Sequence, residues 1–163
     1  MGLIKSGIFG LDEILNGGIP ENSSILVSGV PGSGKTIFAL QFIYEGAKRN
    51  EPGLFITCEE TEISINNYAE SLGFDFSKNK SKINILHLPL LGKLISLGNI
   101  LDIIKKKNIK RVVLDSLTFF SYASADEKSF RKEVLEFLSS MKENKVSIVV
   151  TSERDIGDID KII

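Results

Sequence analysis

The run Gly29-Val30-Pro31-Gly32-Ser33-Gly34-Lys35-Thr36 constrains this chain more than any other, because it follows an apolar stretch, Ser24 to Gly29, and opens a segment with helical spacing. A strand that turns through glycines into a helix can hold an anion at the turn. Without Cβ atoms, Gly32 and Gly34 let backbone N–H groups converge on phosphate oxygens, and the helix adds the positive end of its dipole. Lys35 would reach the β and γ phosphates as a point charge. The Thr36 hydroxyl would complete a Mg2+ shell made otherwise of phosphate oxygens and water. Pro31 stiffens the loop. A merely structural glycine turn would leave a lysine at a helix N-terminus, the unfavourable end for a cation. The residues expected on a nucleotide are therefore Gly29, Val30, Pro31, Gly32, Ser33, Gly34, Lys35, Thr36 and Ile37.

Along the rest of the chain, short apolar runs alternate with helical patterns. The expected strands are Ser24 to Gly29, Leu54 to Cys58, Ile83 to Leu88, Arg111 to Asp115 and Val146 to Thr151. They are near-continuous rather than alternating runs, the signature of a parallel sheet covered on both faces. Between them, Ile37, Leu40, Tyr44 and Ala47 share one helical face; Leu97, Ile100, Leu101 and Ile104 share another, as do Phe130, Val134, Phe137, Leu138 and Met141. Strand followed by helix, repeated with short joins, predicts a doubly wound, mostly parallel α/β sheet with helices on both faces and right-handed crossovers. Ligands in that architecture bind at the carboxyl ends of the strands. The 163 residues suit one domain with a substantial core.

Cys58 and His87 are the only residues of their types, so neither an internal disulfide nor a zinc site of cysteines and histidines can be built. His87 reads as a core or edge histidine and Cys58 as a small buried residue. A net charge of −1 argues against a nonspecific nucleic-acid binder. With no membrane-length apolar run and no signal-peptide layout, a soluble cytoplasmic protein is expected. The run Lys105-Lys106-Lys107, with Lys110-Arg111, reads as the favoured positive end of a helix. Asp155, Asp158 and Asp160 lack calcium-loop spacing and read as solubilising charges.

Two acidic positions complete the phosphate reading. Val112-Val113-Leu114-Asp115 is an apolar strand ending in an acid, the usual source of the carboxylate on the metal side of such a loop. Hydrolysis also needs a group that orients and deprotonates water, and Glu59 and Glu60 stand at the carboxyl end of the second strand. Successive residues of an extended strand point to opposite faces, so at most one of the two is expected to aim at the nucleotide unless the strand ends there. Which one is left open. The alternative is that both are N-terminal charges of a helix starting near Thr61.

Taken together, the chain resembles the KaiC-like branch of the RecA superfamily of P-loop ATPases. The resemblance is carried by Ser6-Gly7-Ile8-Phe9-Gly10-Leu11-Asp12-Glu13-Ile14-Leu15, Gly17-Gly18-Ile19-Pro20-Glu21, the loop Gly29 to Thr36, Glu59-Glu60, Asp115-Ser116-Leu117 and Thr151-Ser152-Glu153-Arg154. It implies a RecA-like fold over residues 1–163 and a Mg2+-dependent ATP hydrolase. In that reading Glu59 or Glu60 activates water, Thr36 and Asp115 serve the metal, and the Thr151-Ser152 strand end senses the γ phosphate. It further implies a homo-oligomer, a hexameric ring, with ATP between subunits and Phe119, Phe120 and Tyr122 facing the channel. By the same resemblance the chain lacks the family's C-terminal strands and their trans-acting Lys and Arg, with Arg154 the one arginine near. Slow turnover and an apolar sheet edge near Val146 to Thr151 are then expected. The alternatives are a nucleotide-binding switch or scaffold and a DNA-recombination-type motor, the latter disfavoured by charge.

Overall fold

A computed structural model describes residues 2–88, 97–118 and 126–153. In chain order these residues form β1 (Leu3–Ile4), α1 (Leu11–Ile14), β2 (Ile19–Pro20), β3 (Ser24–Ser28), α2 (Lys35–Lys48), β4 (Gly53–Thr57) and α3 (Glu62–Ser71). A 3-10 turn (Ser77–Asn79) then leads to β5 (Ile83–His87), α4 (Leu97–Lys106), β6 (Arg111–Asp115), α5 (Glu127–Glu143) and β7 (Ser147–Ser152). β1 and β2 pair antiparallel beside the main sheet, whose five strands run parallel in the order β3-β7-β6-β4-β5.

The apolar strands fill both faces. Leu54, Ile56, Val112, Leu114, Ile148 and Val150 pack with Ile100 and Ile104 of α4 and with Phe130 and Met141 of α5. The residues between them, Phe55, Val113 and Val149, pack with Leu40 and Ile43 of α2 and Ile65 and Ala69 of α3. A strand whose successive side chains enter two different cores must be apolar throughout. Two helices owe their starts to capping side chains: Thr61 accepts from Ser64 N at the head of α3, and Asp126 from Ser129 N at the head of α5.

One expectation is corrected. The segment Val146 to Thr151 is not a sheet edge, because β7 is hydrogen-bonded to β3 on one side and to β6 on the other, and all six of its residues are buried. The edges fall on β3 and β5, which are only partly covered. A buried strand's composition reports the faces above and below it; it does not report which strands lie beside it. His87 ends the edge strand β5, half-buried. Among the described residues no helix is long and apolar enough to cross a membrane.

The basic run also divides. Lys105 and Lys106 lie in the last turn of α4, but Arg111 is the first residue of β6 and is fully buried. Its Nε donates to Glu51 Oε2 at 2.7 Å, and Nη1 donates to Lys5 O at 2.7 Å and Phe42 O at 3.0 Å. The guanidinium carbon lies 4.7 Å from the centroid of the Phe42 ring. Nη2 is 2.6 Å from the same Glu51 oxygen, although not aligned as a hydrogen bond. Burial lowers the pKa of Arg111, opposed by Glu51. Three parts of the chain are thus tied to one cation, whose loss would leave buried acceptors unpaired.

Gly46 in α2 makes room for it. An alanine Cβ there would lie 2.5 Å from Arg111 Cδ and 3.1 Å from Glu51 O. Helix propensity alone favours Gly46→Ala by about 1 kcal/mol, but the arginine is held at three points and overpacking costs about 1–3 kcal/mol. We expect net destabilisation, read as a lower urea midpoint with an unchanged slope.

Candidate active site

The carboxyl ends of β4, β6 and β7 face the loop after β3 across a cleft of about 460 Å3. Its walls are Gly32, Gly34, Lys35, Thr36 and Ile37 from the loop and α2; Thr57, Glu59 and Glu60 from the end of β4; and Ser64, Ile65 and Tyr68 from α3. Asp115 at the end of β6, Ser116 just after it and Glu153 after β7 complete it.

The loop has the backbone that an anion cradle needs. Gly32 and Gly34 adopt φ of 77° and 93°, and a Cβ at either would meet nothing within 4 Å. Conformation, not crowding, therefore requires glycine there, and it leaves the concave side of the loop open. Lys35, the first residue of α2, is buried, and its Nζ donates to Gly29 O and Val30 O at 2.9 Å each. Pro31 and Ser33 are exposed and, like Val30, do not line the cleft. Ser152 is buried and supports the loop through its backbone, its carbonyl accepting from Gly29 N at 3.3 Å.

Asp115 is held from both sides. Thr36 Oγ1 donates to its Oδ2 at 2.9 Å, and Thr151 Oγ1 donates to its Oδ1. The peptide between Asp115 and Ser116 is cis. A hydroxyl and a carboxylate converging beside a phosphate cradle form an all-oxygen donor set, which fits a hard divalent cation such as Mg2+.

Glu59 and Glu60 both reach the cleft, with different supports. Ser116 Oγ is 3.4 Å from Glu59 Oε1, whereas Glu60 is fixed through its backbone N–H, which donates to Thr57 Oγ1 at 3.0 Å. Desolvation first, and then the charges of Glu153 and Asp115, push the Glu59 carboxyl above its ordinary value; the Ser116 hydrogen bond opposes them. Cys58 is buried, and desolvation together with Asp115 and Glu59 drives its thiol up to about 12, so it stays protonated at neutral pH.

The structure supplies contacts that the sequence reading had not assigned. Ser116 steadies Glu59, Thr151 orients Asp115, Glu153 faces Lys35 at 3.9 Å, and Tyr68 closes the α3 side. Thr151 and Glu153 were visible in the motif at the end of β7, but their partners depend on which strand lies alongside. Phe119, Phe120, Tyr122, Arg154, Asp155, Asp158 and Asp160 lie outside the described residues.

Comparison with known proteins gives a consistent result. Residues 4–161 match the family described as "ATPase: KaiC". The circadian clock oscillator protein KaiC of Prochlorococcus marinus is 36% identical over 171 residues, covering 96% of this chain and 34% of that protein. A UPF0273 protein of Pyrococcus horikoshii is 34% identical over 134 residues, covering 71% of this chain and 54% of its own length. The crystal structure of a KaiC-like protein from the same archaeon superposes with a TM-score of 0.83 at 34% identity, covering 99% of this chain and 77% of that one. The chain thus spans about a third of the length of the KaiC relative it matches.

The raised Glu59 pKa has a definite sign. The folded value lies above 4.5, so the contribution of this group to stability is complete below 4.5 and is lost as pH rises through the folded value. Glu59→Gln is therefore expected to raise the melting temperature at neutral pH. Carboxyl-carbon NMR should show Glu59 titrating above 4.5 and Ser116→Ala moving it higher still.

Proposed function

The chain belongs to the KaiC family of ATPases, and from that premise we propose that it binds Mg2+-ATP in this cleft and hydrolyses it with Glu59 as the general base. The observation that carries the reading is the joining of Thr36, Asp115 and Thr151 by hydrogen bonds beside a phosphate cradle, with a carboxylate of raised pKa in the same cleft. Thr36 and Asp115 would hold the metal, which supplies positive charge to the phosphate oxygens when bound. Lys35 and the loop N–H groups bind the β and γ phosphates.

In the chemical step a water oxygen attacks the γ phosphorus, the bond to the β–γ bridging oxygen breaks, and ADP leaves with that electron pair. The proton of the attacking water passes to Glu59. A carboxylate with a raised pKa is the better base, and the hydrogen bond from Ser116 limits where it can point. Glu60, anchored by its backbone, shapes the field beside Glu59.

The lining residues include four carboxylates, Glu59, Glu60, Asp115 and Glu153, and one ammonium, Lys35. That balance opposes a polyanion. Basic groups from a neighbouring copy would relieve it, which supports a homo-oligomer with the nucleotide near a subunit contact and a slow isolated chain. We place the activity as a regulatory or energy-coupling ATPase.

Phosphate release should fall at least about 100-fold in Glu59→Gln, with ATP binding retained and a smaller loss in Glu60→Gln. Equal rates in wild type and the Glu59→Gln, Glu60→Gln double variant would reduce the function to a nucleotide-binding switch. Light scattering with and without Mg2+-ATP is expected to show a larger particle with nucleotide.

A further inference from the structure

A lysine ammonium has three N–H donors. In Lys35 two of them point at the loop's own carbonyls, Gly29 O and Val30 O, at 2.9 Å each, and Glu153 Oε1 lies 3.9 Å from the same nitrogen. The lysine side chain is 7% exposed and that of Glu153 38%. The nitrogen meant for phosphate is therefore engaged within the protein.

The backbone beneath this carboxylate is fixed. Glu153 N donates to Thr118 Oγ1 at 3.0 Å, and the residue before it, Ser152, pairs with Ser28 and accepts from Gly29 N at 3.3 Å. The β3–β7 register thus brings Glu153 level with the start of the phosphate loop. Its side chain can leave; its backbone cannot.

We propose that Glu153 is a positioning residue that holds Lys35 in the nucleotide-free cleft, so that phosphate binds by exchange against this carboxylate. The proposal rests on the ATPase reading for the identity of its ligand. Two costs of the same sign follow. The ammonium gives up Glu153 when it turns to phosphate, and the released carboxylate then faces both the bound anion and Glu59. Because Glu153 is partly open to water, the effect is a few-fold rather than orders of magnitude. A single phosphate brings little charge to compensate the exchange, whereas a metal-bound di- or triphosphate engages the whole loop. The hold on Lys35 thereby discriminates against inorganic phosphate.

Glu153→Gln keeps the shape of the side chain and the backbone bond to Thr118. It is expected to bind fluorescent ADP with Mg2+ about two- to fivefold more tightly than wild type, with Glu153→Ala changing in the same direction. Without nucleotide, Lys35 should acetylate several-fold faster in the variant, read by peptide mass spectrometry against exposed Lys105 in the same sample. Unchanged labelling overturns the proposal, as does ADP binding that is unchanged or weaker in a folded variant. If neither protein binds ADP, the ATPase reading falls, and the labelling alone still decides whether Glu153 holds the lysine.

Discussion

The parallel register of β3, β7, β6 and β4 is what the site depends on. Thr57 lies level with Asp115, Val27 with Thr151 and Ser28 with Ser152, so polar residues from distant parts of the chain reach one edge of the sheet together. Parallel pairing forces every connection to cross over a face, and the crossovers on the two faces are the helices that bury the strands. The apolar bodies of the strands supply the stability; their carboxyl ends carry the polar residues of the cleft. The buried Arg111, tying Lys5, Phe42 and Glu51 together, fixes the opposite end of the same layers.

Electrostatic tension runs through the cleft. Four carboxylates gather around one lysine, and the charges raise the pKa of Glu59 as burial does. In the proposed hydrolysis the same features would make Glu59 the better base and Asp115 a well-oriented acceptor. Neutral hydroxyls manage the tension: Thr36 and Thr151 on Asp115, Ser116 on Glu59. Gathering like-charged side chains in one cleft costs the folded state some stability.

Much of this was legible in the sequence, and for local reasons. The glycine loop, the apolar runs and the helical spacing are written within a few residues of one another, and each corresponds to an element at nearly the expected position. Glu59 and Glu60 follow the end of one strand and Asp115 ends another, which is enough to put them at the ligand edge of an α/β sheet. Other features could not be read this way. Arg111 was placed at the start of a strand and also read with the lysine run, but nothing beside it announces the carbonyls of Lys5 and Phe42 that accept from it. Val146 to Thr151 was expected at an edge because the resemblance implied missing strands beyond it, but strand order is a long-range property and β7 lies between β3 and β6.

The sequence by itself determined which segments become strands and helices, where the chain can wrap a phosphate, and which acids stand ready at the strand ends. Each of those depends on side-chain periodicity or on the backbone freedom of a few adjacent residues. Only the tertiary structure decided that β7 lies between β3 and β6, that Thr151 orients Asp115, that Ser116 rather than a charged group steadies Glu59, and that Glu153 faces Lys35. The reason is physical: a hydrogen bond or an ion pair forms between groups that are near in space. The order of strands in a sheet, which makes distant residues neighbours, is set by how whole faces pack.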